Sequence, residues 1–363
     1  MHSITKPTVD QATLDALVTV VFGGAALPAL CREATEGMYN TVFRLTLADG
    51  REVALKAAPA PDAPRLGYEY NILRTESLFF TRLAEVDGVP TPRVLSTGFE
   101  RNLMPGDYLF MTALPGTPLD RLRADLSPDE LAAVRRDLGG IVARMHAVHG
   151  IRFGYPQSES APARWPDAFR GMVEAVLADA ARLGADLTRP AAEILAAVED
   201  NLGLLADVDS PVFVHFDLWD GNILVARDGG GARVGGVIDA ERAFWGDPCA
   251  DFVSLALFAD IEADVDFLAG YREAGGTVEF TPEVRRRISL YRIYLYLIML
   301  TEGAVRGYDK ETATGLREWV GMLLAGELDA LGDELSDEPG ETDSQADSEA
   351  DGDAADDVPV QAG

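Results

Sequence analysis

Asp217, Asn222 and Asp239 are side chains that could do chemistry together. In Val214-His215-Phe216-Asp217-Leu218-Trp219-Asp220-Gly221-Asn222, Asp217 leads Asn222 by five residues, and Asp239 follows 17 residues later at the end of the apolar run Val237-Ile238. Phosphoryl transfer needs this set. It asks little covalent work of a protein, only positioning and neutralisation of charge on phosphate oxygens. Magnesium is a hard cation that takes oxygen ligands and one or two protein carboxylates. Asn222 and Asp239 suit it, and Asp217 stays free to take a proton from an attacking hydroxyl. The same residues would also serve as the polar turn of a β-hairpin, with Asp239 capping a strand.

A second piece lies upstream. Tyr39 to Leu47 alternates as a strand does, Ala48-Asp49-Gly50 reads as a turn, and Glu52-Val53-Ala54-Leu55-Lys56 reads as the returning strand. Val53-Ala54-Leu55-Lys56 is similar to the Val-Ala-Ile-Lys whose lysine contacts nucleotide phosphates in kinases. The chain has three lysines, Lys6, Lys56 and Lys310, against 28 arginines, so a lysine on an apolar strand is not casual. Its carboxylate partner is expected on the helical stretch from about Arg65 to Ala84, where Glu69 and Glu76 are the candidates.

Together these segments resemble the aminoglycoside phosphotransferase and choline kinase-like superfamily, the small-molecule relatives of protein kinases. Matching points run from Glu36 to Asp251 and include Tyr108-Leu109-Phe110-Met111-Thr112-Ala113-Leu114-Pro115-Gly116, Ala143-Arg144-Met145-His146 and Phe244-Trp245-Gly246-Asp247-Pro248. The resemblance implies an α+β, bilobal, protein-kinase-like fold: a small antiparallel-sheet lobe over residues 1–114 and a larger, mainly helical lobe over 115–331. ATP would lie between them as co-substrate, with Mg2+ as cofactor. Lys56, paired with Glu76, would fix the phosphates; the spacing from Glu76 to Val89-Pro90-Thr91-Pro92 matches relatives better than that from Glu69. Backbone groups of Thr112, Ala113 and Leu114 would hold adenine. Asp217 would be the base, Asn222 and Asp239 the metal ligands, and His215 the organiser of the loop.

Two departures stand out. Glu36 to Val42 lacks the Gly-x-Gly-x-x-Gly loop of protein kinases, which weighs against a protein substrate. Phe216 stands where relatives often have Gly. Glu241 could support a second metal, organise the loop or be a solvated turn residue.

Composition bounds the rest. A chain of 363 residues with 47% hydrophobic content can build two lobes. A net charge of −29 argues against nucleic-acid binding. Scarce lysine and abundant acid resemble proteins of extreme halophiles, since molar salt cuts the Debye length to about 3 Å. Cys31 and Cys249 have no zinc-like or disulfide spacing, and no apolar run is long enough to span a membrane. A cytoplasmic monomer or homodimer is expected. From 332 to 363 the chain becomes an acidic tail, with 12 acidic residues between Asp333 and Asp357 and no basic one, and it is expected to be disordered.

Helical spacing marks Asp129–Val148, Ala168–Leu183, Ala191–Leu205 and Val284–Glu302. His146 and His149 read as helix-end packing residues. Phe252–Phe258, Val265–Tyr271 and Thr312–Leu324 are expected to wall an acceptor pocket, and Gly229-Gly230-Gly231 reads as a hairpin turn. The expected activity is transfer of the ATP γ-phosphate to a hydroxyl of a small molecule. Asp217-Leu218-Trp219-x-Gly221-Asn222 is similar to ketoamine kinases, which favours a sugar-like acceptor. The competing readings are a non-catalytic nucleotide-binding module, a protein kinase and a metal-dependent phosphohydrolase using His215.

Overall fold

Alternating apolar residues build the first sheet. In the computed structural model, which describes residues 6–34, 39–159 and 162–332, helix α1 (Gln11–Phe22) begins where the Asp10 carboxylate accepts the Thr13 N–H at 2.8 Å. Strands β1 (Pro28–Ala34), β2 (Thr41–Leu47) and β3 (Glu52–Ala57) follow, then helix α2 (Ile72–Leu83), β4 (Val94–Gly98) and β5 (Tyr108–Thr112). All strand pairs are antiparallel, in the order β1-β2-β3-β5-β4. The expected hairpin is β2–β3, with Val42 opposite Lys56. Leu14, Leu17 and Val18 of α1 cover one face of the sheet over Leu45, Leu55 and Phe110.

The helix expected from about Arg65 to Ala84 is broken. Gly67–Glu69 is a single 3-10 turn and Asn71 is left-handed at φ 57°, so α2 starts only at Ile72. Local hydrogen bonds outcompete the helix here. The Glu69 carboxylate accepts the Leu66 N–H at 2.8 Å, and Asp179 accepts the Gly67 N–H at 2.5 Å.

The helical lobe opens with β6 (Thr117–Pro118), α3 (Leu119–Leu122) and α4 (Pro128–His146), the last started by Ser127 and Glu130 in a capping box with Pro128 in the first turn. Next come α5 (Trp165–Leu183), α6 (Ala191–Asn201), β7 (Val212–Val214), β8 (Ile223–Asp228), β9 (Gly231–Val237) and β10 (Phe244–Gly246). The chain closes with α7 (Phe252–Leu255), α8 (Val265–Glu273), α9 (Pro282–Glu302) and α10 (Lys310–Gly332). Strands β6, β8 and β9 form one small sheet and β7 with β10 another, so the segment bearing Asp217 bridges the two. Under it lies an aromatic core of Trp165, Phe169, Phe244, Tyr291 and Tyr294, with Trp165 and Phe244 stacked at 5.8 Å.

Two of the segments expected to wall an acceptor pocket have the following local structure. Phe252–Phe258 forms only one helical turn before Phe258 goes left-handed at φ 62°. Helix α8 packs onto α4: a Cβ on Gly139 would strike the Phe267 carbonyl, and one on Gly270 the Arg136 carbonyl. Such close backbone approach joins α8 to the central helix. Both lobes belong to one compact unit ending at Gly332. The acidic tail from Asp333, and residues 35–38 of the segment without a glycine-rich loop, lie outside the described residues. Among the described residues no helix is long and apolar enough to cross a membrane. Neither cysteine is bonded; Cys31 is exposed and Cys249 buried.

Candidate active site

Lys56 is at the centre of the first cluster. It sits on a buried strand, and its ammonium reaches both carboxylate oxygens of Glu76 at 2.9 Å, Asp239 Oδ1 at 2.5 Å and Glu241 Oε2 at 3.4 Å. Burial alone would favour neutral lysine, but the three carboxylates hold its pKa well above the ordinary value. Burial pushes Glu76 up to about 7 against the pull of Lys56, whereas Lys56 overcomes burial at Asp239 and holds it below the usual range. Glu69 does not join them. It turns to Arg306 in the helical lobe, because it lies outside the helix that carries Glu76. Asn40, after the undescribed residues 35–38, donates Nδ2 to Glu241 at 2.5 Å, and its buried Oδ1 has no partner among the described residues.

The second cluster is the loop after β7. Asn222 Nδ2 donates to the Asp217 carbonyl at 2.8 Å and to Asp217 Oδ2 at 2.9 Å. Oδ1 of Asp217 is the oxygen left for another group; the nearest cation to it is Arg242, at 3.7 Å. Burial raises Asp217 to about 6, with Arg242 lowering it and Asp239 raising it further. The Ile238 N–H donates to the Asn222 carbonyl, which brings Asp239 beside the loop, left-handed at φ 65°. Asp tolerates that conformation better than most residues.

His215 is fully buried. Its Nε2 donates to the Ile238 carbonyl at 3.1 Å, and its Nδ1 accepts the Asp217 N–H at 3.2 Å. Those partners define the neutral Nε2–H tautomer, in line with a pKa lowered by burial. With both nitrogens engaged, His215 is not a metal ligand as the phosphohydrolase reading requires. Phe216 takes the backbone a glycine would, φ 60°, and buries its ring at 5.1 Å from Phe244 and 5.6 Å from Tyr294. Left-handed backbone costs roughly 1–2 kcal/mol. Burying a phenyl ring is worth roughly 1.5–3 kcal/mol, so the packing offsets the strain.

The residue that holds this loop is Asp251, which motif spacing did not single out. Its carboxylate, with no exposed surface, accepts the N–H of His215 at 3.0 Å and of Phe216 at 2.7 Å, and meets His146 Nε2 at 2.9 Å. His146 in turn bonds the Tyr271 hydroxyl at 2.9 Å, so it links α8 to the loop rather than only packing. Ser254 adds a hydroxyl for the Leu218 N–H.

At the expected adenine-binding stretch, the Thr112 N–H donates to the Arg93 carbonyl at 2.9 Å and the Ala113 N–H to the Glu52 carbonyl at 3.2 Å. Leu114 is the one of the three whose N–H has no backbone partner among the described residues. Its side chain fills the space over Gly236 of β9, where an added Cβ would come within 2.5 Å of it.

On the other side of Asp217, Arg242 Nη2 binds Glu302 at 2.9 and 3.0 Å. Glu302 also accepts the Tyr68 hydroxyl at 2.5 Å and meets Arg306 at 3.3 Å, and Arg306 binds Glu69. Burial opposes ionisation of Glu302, yet Arg242 and Arg306 hold its pKa below the ordinary value.

A cation site is consistent with these side chains. Carboxylate oxygens of Glu76, Asp239 and Glu241 lie within 4.8 Å of one another, and Asn222, its nitrogen committed to Asp217, has an amide oxygen to offer. All are hard oxygen donors of the kind magnesium takes.

A two-lobed fold with a lysine–glutamate pair above and an Asp-x4-Asn loop below defines a phosphotransferase of the small-molecule kinase class. The sequence matches the family described as "Phosphotransferase enzyme family" over residues 31–289, and the chain belongs to it. Solved structures agree. A Thermobifida fusca YX-ER1 protein assigned as a fructosamine-3-kinase is 25% identical, with a TM-score of 0.60 over 85% of this chain and 98% of that one. A Ralstonia eutropha JMP134 protein assigned as an aminoglycoside phosphotransferase shares the fold at TM-score 0.64 and 16% identity, over 89% of this chain and 98% of that one. Aminoglycoside phosphotransferase APH(4)-Ia, solved with AMP-PNP and hygromycin B, shares it at 0.59 and 18% identity, over 88% and 98%. No curated protein sequence matches.

Proposed function

We propose that this chain transfers the γ-phosphate of ATP to a hydroxyl of a small molecule, with a sugar-like acceptor favoured. The observation that carries it is the meeting of Lys56 and Glu76 from the sheet lobe with Asp239 from the helical lobe, beside an Asp217 whose Oδ2 is fixed by Asn222 and whose Oδ1 is not. The acceptor hydroxyl gives its proton to Oδ1 as its oxygen bonds to the γ-phosphorus. The bond between that phosphorus and the β–γ bridging oxygen breaks, and ADP leaves. Asn222 and Asp239 would hold magnesium, which neutralises charge on the phosphate oxygens. Lys56 then gives up Asp239 and turns to the phosphates, kept charged and aimed by Glu76. The Leu114 N–H, with carbonyls of the same stretch, would receive adenine. His215 and Asp251 keep Asp217 in place.

The ketoamine-like wording of the Asp217 loop, together with the 25% identity to the Thermobifida fusca protein assigned as a fructosamine-3-kinase, supports a sugar-like acceptor over an antibiotic. The test is ADP release with Mg2+ and potassium chloride across ketoamine sugars, ribose derivatives, aminoglycosides, macrolides, choline and homoserine, with Asp217→Ala as control. Acceptor-dependent release that vanishes in the variant is expected. Nucleotide binding without stimulation by any acceptor would favour a regulatory module instead.

A further inference from the structure

Near Asp217, on the side away from Lys56, hydrogen-bond donors are in surplus. Glu302 Oε1 already takes the Tyr68 hydroxyl, Arg242 and Arg306, and its Oε2 takes Arg242 again. Glu69 Oε1 takes Arg306 and its Oε2 the Leu66 N–H. Every carboxylate oxygen of the two acids already has a donor from the chain itself. The guanidiniums are less satisfied. Arg306 is only 4% exposed and lies over the Tyr39 ring at 5.1 Å, yet among the described residues its Nη1 has no hydrogen-bond partner. Arg242 Nη1 stands 3.7 Å from Asp217 Oδ1, beyond hydrogen-bond length. A buried charged donor left unpaired is costly, and a ligand oxygen there recovers that cost.

We infer that Arg306 and Arg242 form an acceptor subsite for a carboxylate, so that the preferred substrate carries an anionic group near the hydroxyl that reacts at Asp217. This rests on the phosphotransferase reading and narrows its substrate class. Guanidinium suits the task because its planar fork matches a carboxylate. Glu302, held by both arginines, already shows how they grip one. Tyr39, Tyr68 and Glu69 come from the sheet lobe, whereas Glu302 and Arg306 lie at and just beyond the end of α9, so Arg306 sits where the two lobes meet. A polycation meets two guanidiniums here, and the acids beside them are already ion-paired.

The matched probes are N-(1-deoxyfructosyl)glycine and its glycinamide, which differ in one charge, with kanamycin as polycation. The full chain, loaded with a non-hydrolysable ATP analogue, is titrated with each by calorimetry, and turnover is followed separately with ATP. The acid should bind and react about 10–100-fold better than the amide, the equivalent of one hydrogen bond to a charged group. Arg306→Gln should raise KM for the acid by a similar factor and leave KM for the amide and analogue affinity within about threefold. Arg306→Lys should restore part of the preference, which a purely structural role for Arg306 does not explain. Equal use of acid and amide, or better use of kanamycin, overturns the carboxylate subsite and leaves the transferase reading intact. Loss of analogue affinity in Arg306→Gln with no change in acid preference also overturns it, assigning Arg306 to the nucleotide. Acid binding that depends on Arg306, without turnover of any acceptor, upholds the subsite and overturns phosphoryl transfer. Failure of the acid to bind the loaded wild type overturns the subsite outright.

Discussion

Replacing Asp251 by asparagine should loosen the loop around Asp217 without disturbing nucleotide binding. The Asp251 carboxylate receives three donors, the His215 and Phe216 amides and His146 Nε2, all in a buried setting. Hydrogen bonds to a charged group are worth about 1.5–3 kcal/mol each, against about 0.5–1.5 for neutral ones. A carboxamide keeps an oxygen for the two amides. Its NH2 can face His146 if that ring moves its proton to Nδ1 and donates to the Tyr271 hydroxyl. All three bonds survive without the charge, at a combined cost of about 2–4 kcal/mol. At about 2–4 °C per kcal/mol, the melting midpoint should fall by roughly 4–16 °C. A shift of Asp217 by 1 Å costs on the order of 100-fold in turnover. Lys56 and Glu76 lie outside the loop, so affinity for an ATP analogue should stay within about threefold. Urea unfolding, calorimetry with the analogue and coupled ADP release read the three quantities. A variant within about 0.5 kcal/mol of wild type at full turnover would refute the role given to Asp251, as would a nucleotide affinity that falls as far as turnover. Asp251→Ala strands all three donors, at about 1–3 kcal/mol each. That approaches the whole stability of a domain, so little soluble protein is expected.

Other consequences are independent of that one. With Asp217 raised to about 6, chiefly by burial, kcat/KM should climb with pH through about 6 as the base ionises. Arg242→Gln removes the nearest positive charge and should move that limb to higher pH; an unmoved limb would show that Arg242 does not act on Asp217. Lys56→Met should depress turnover and nucleotide affinity together. It should also cost more stability at pH 8 than at pH 5. Glu76, already held up to about 7 by burial, loses its counter-charge, and a carboxyl with a raised folded-state pKa loses stability as pH rises through that range. A stability gap that narrows with rising pH would contradict this. Gly236→Ala places a Cβ 2.5 Å from Leu114 Cδ1 and should raise KM for ATP while sparing KM for the acceptor, measured by varying each in turn.

The candidate site of this protein was legible wherever one short segment had to present several groups at once. Asp217 and Asn222 share a loop, Lys56 sits on a strand whose alternation shows which way it faces, and the match to a family of phosphotransferases follows the same segments. Local backbone geometry dictates such spacings, so they survive in the primary structure. Tertiary structure decided what packing alone can decide. Helical periodicity leaves Glu76 and Glu69 both as candidates and only the resemblance favours Glu76; the break of the helix at Asn71 sends one to Lys56 and the other to Arg306. Asp251 has no role in the sequence reading and His146 reads as a packing residue, until folding brings them together across 105 residues beneath the Asp217 loop. The run of charges from Asp217 through Arg242, Glu302 and Arg306 to Glu69 draws on four separate segments. No one segment specifies it, because an ion pair depends on where side chains end in space, and in a chain this rich in acid every arginine has many possible partners along the sequence.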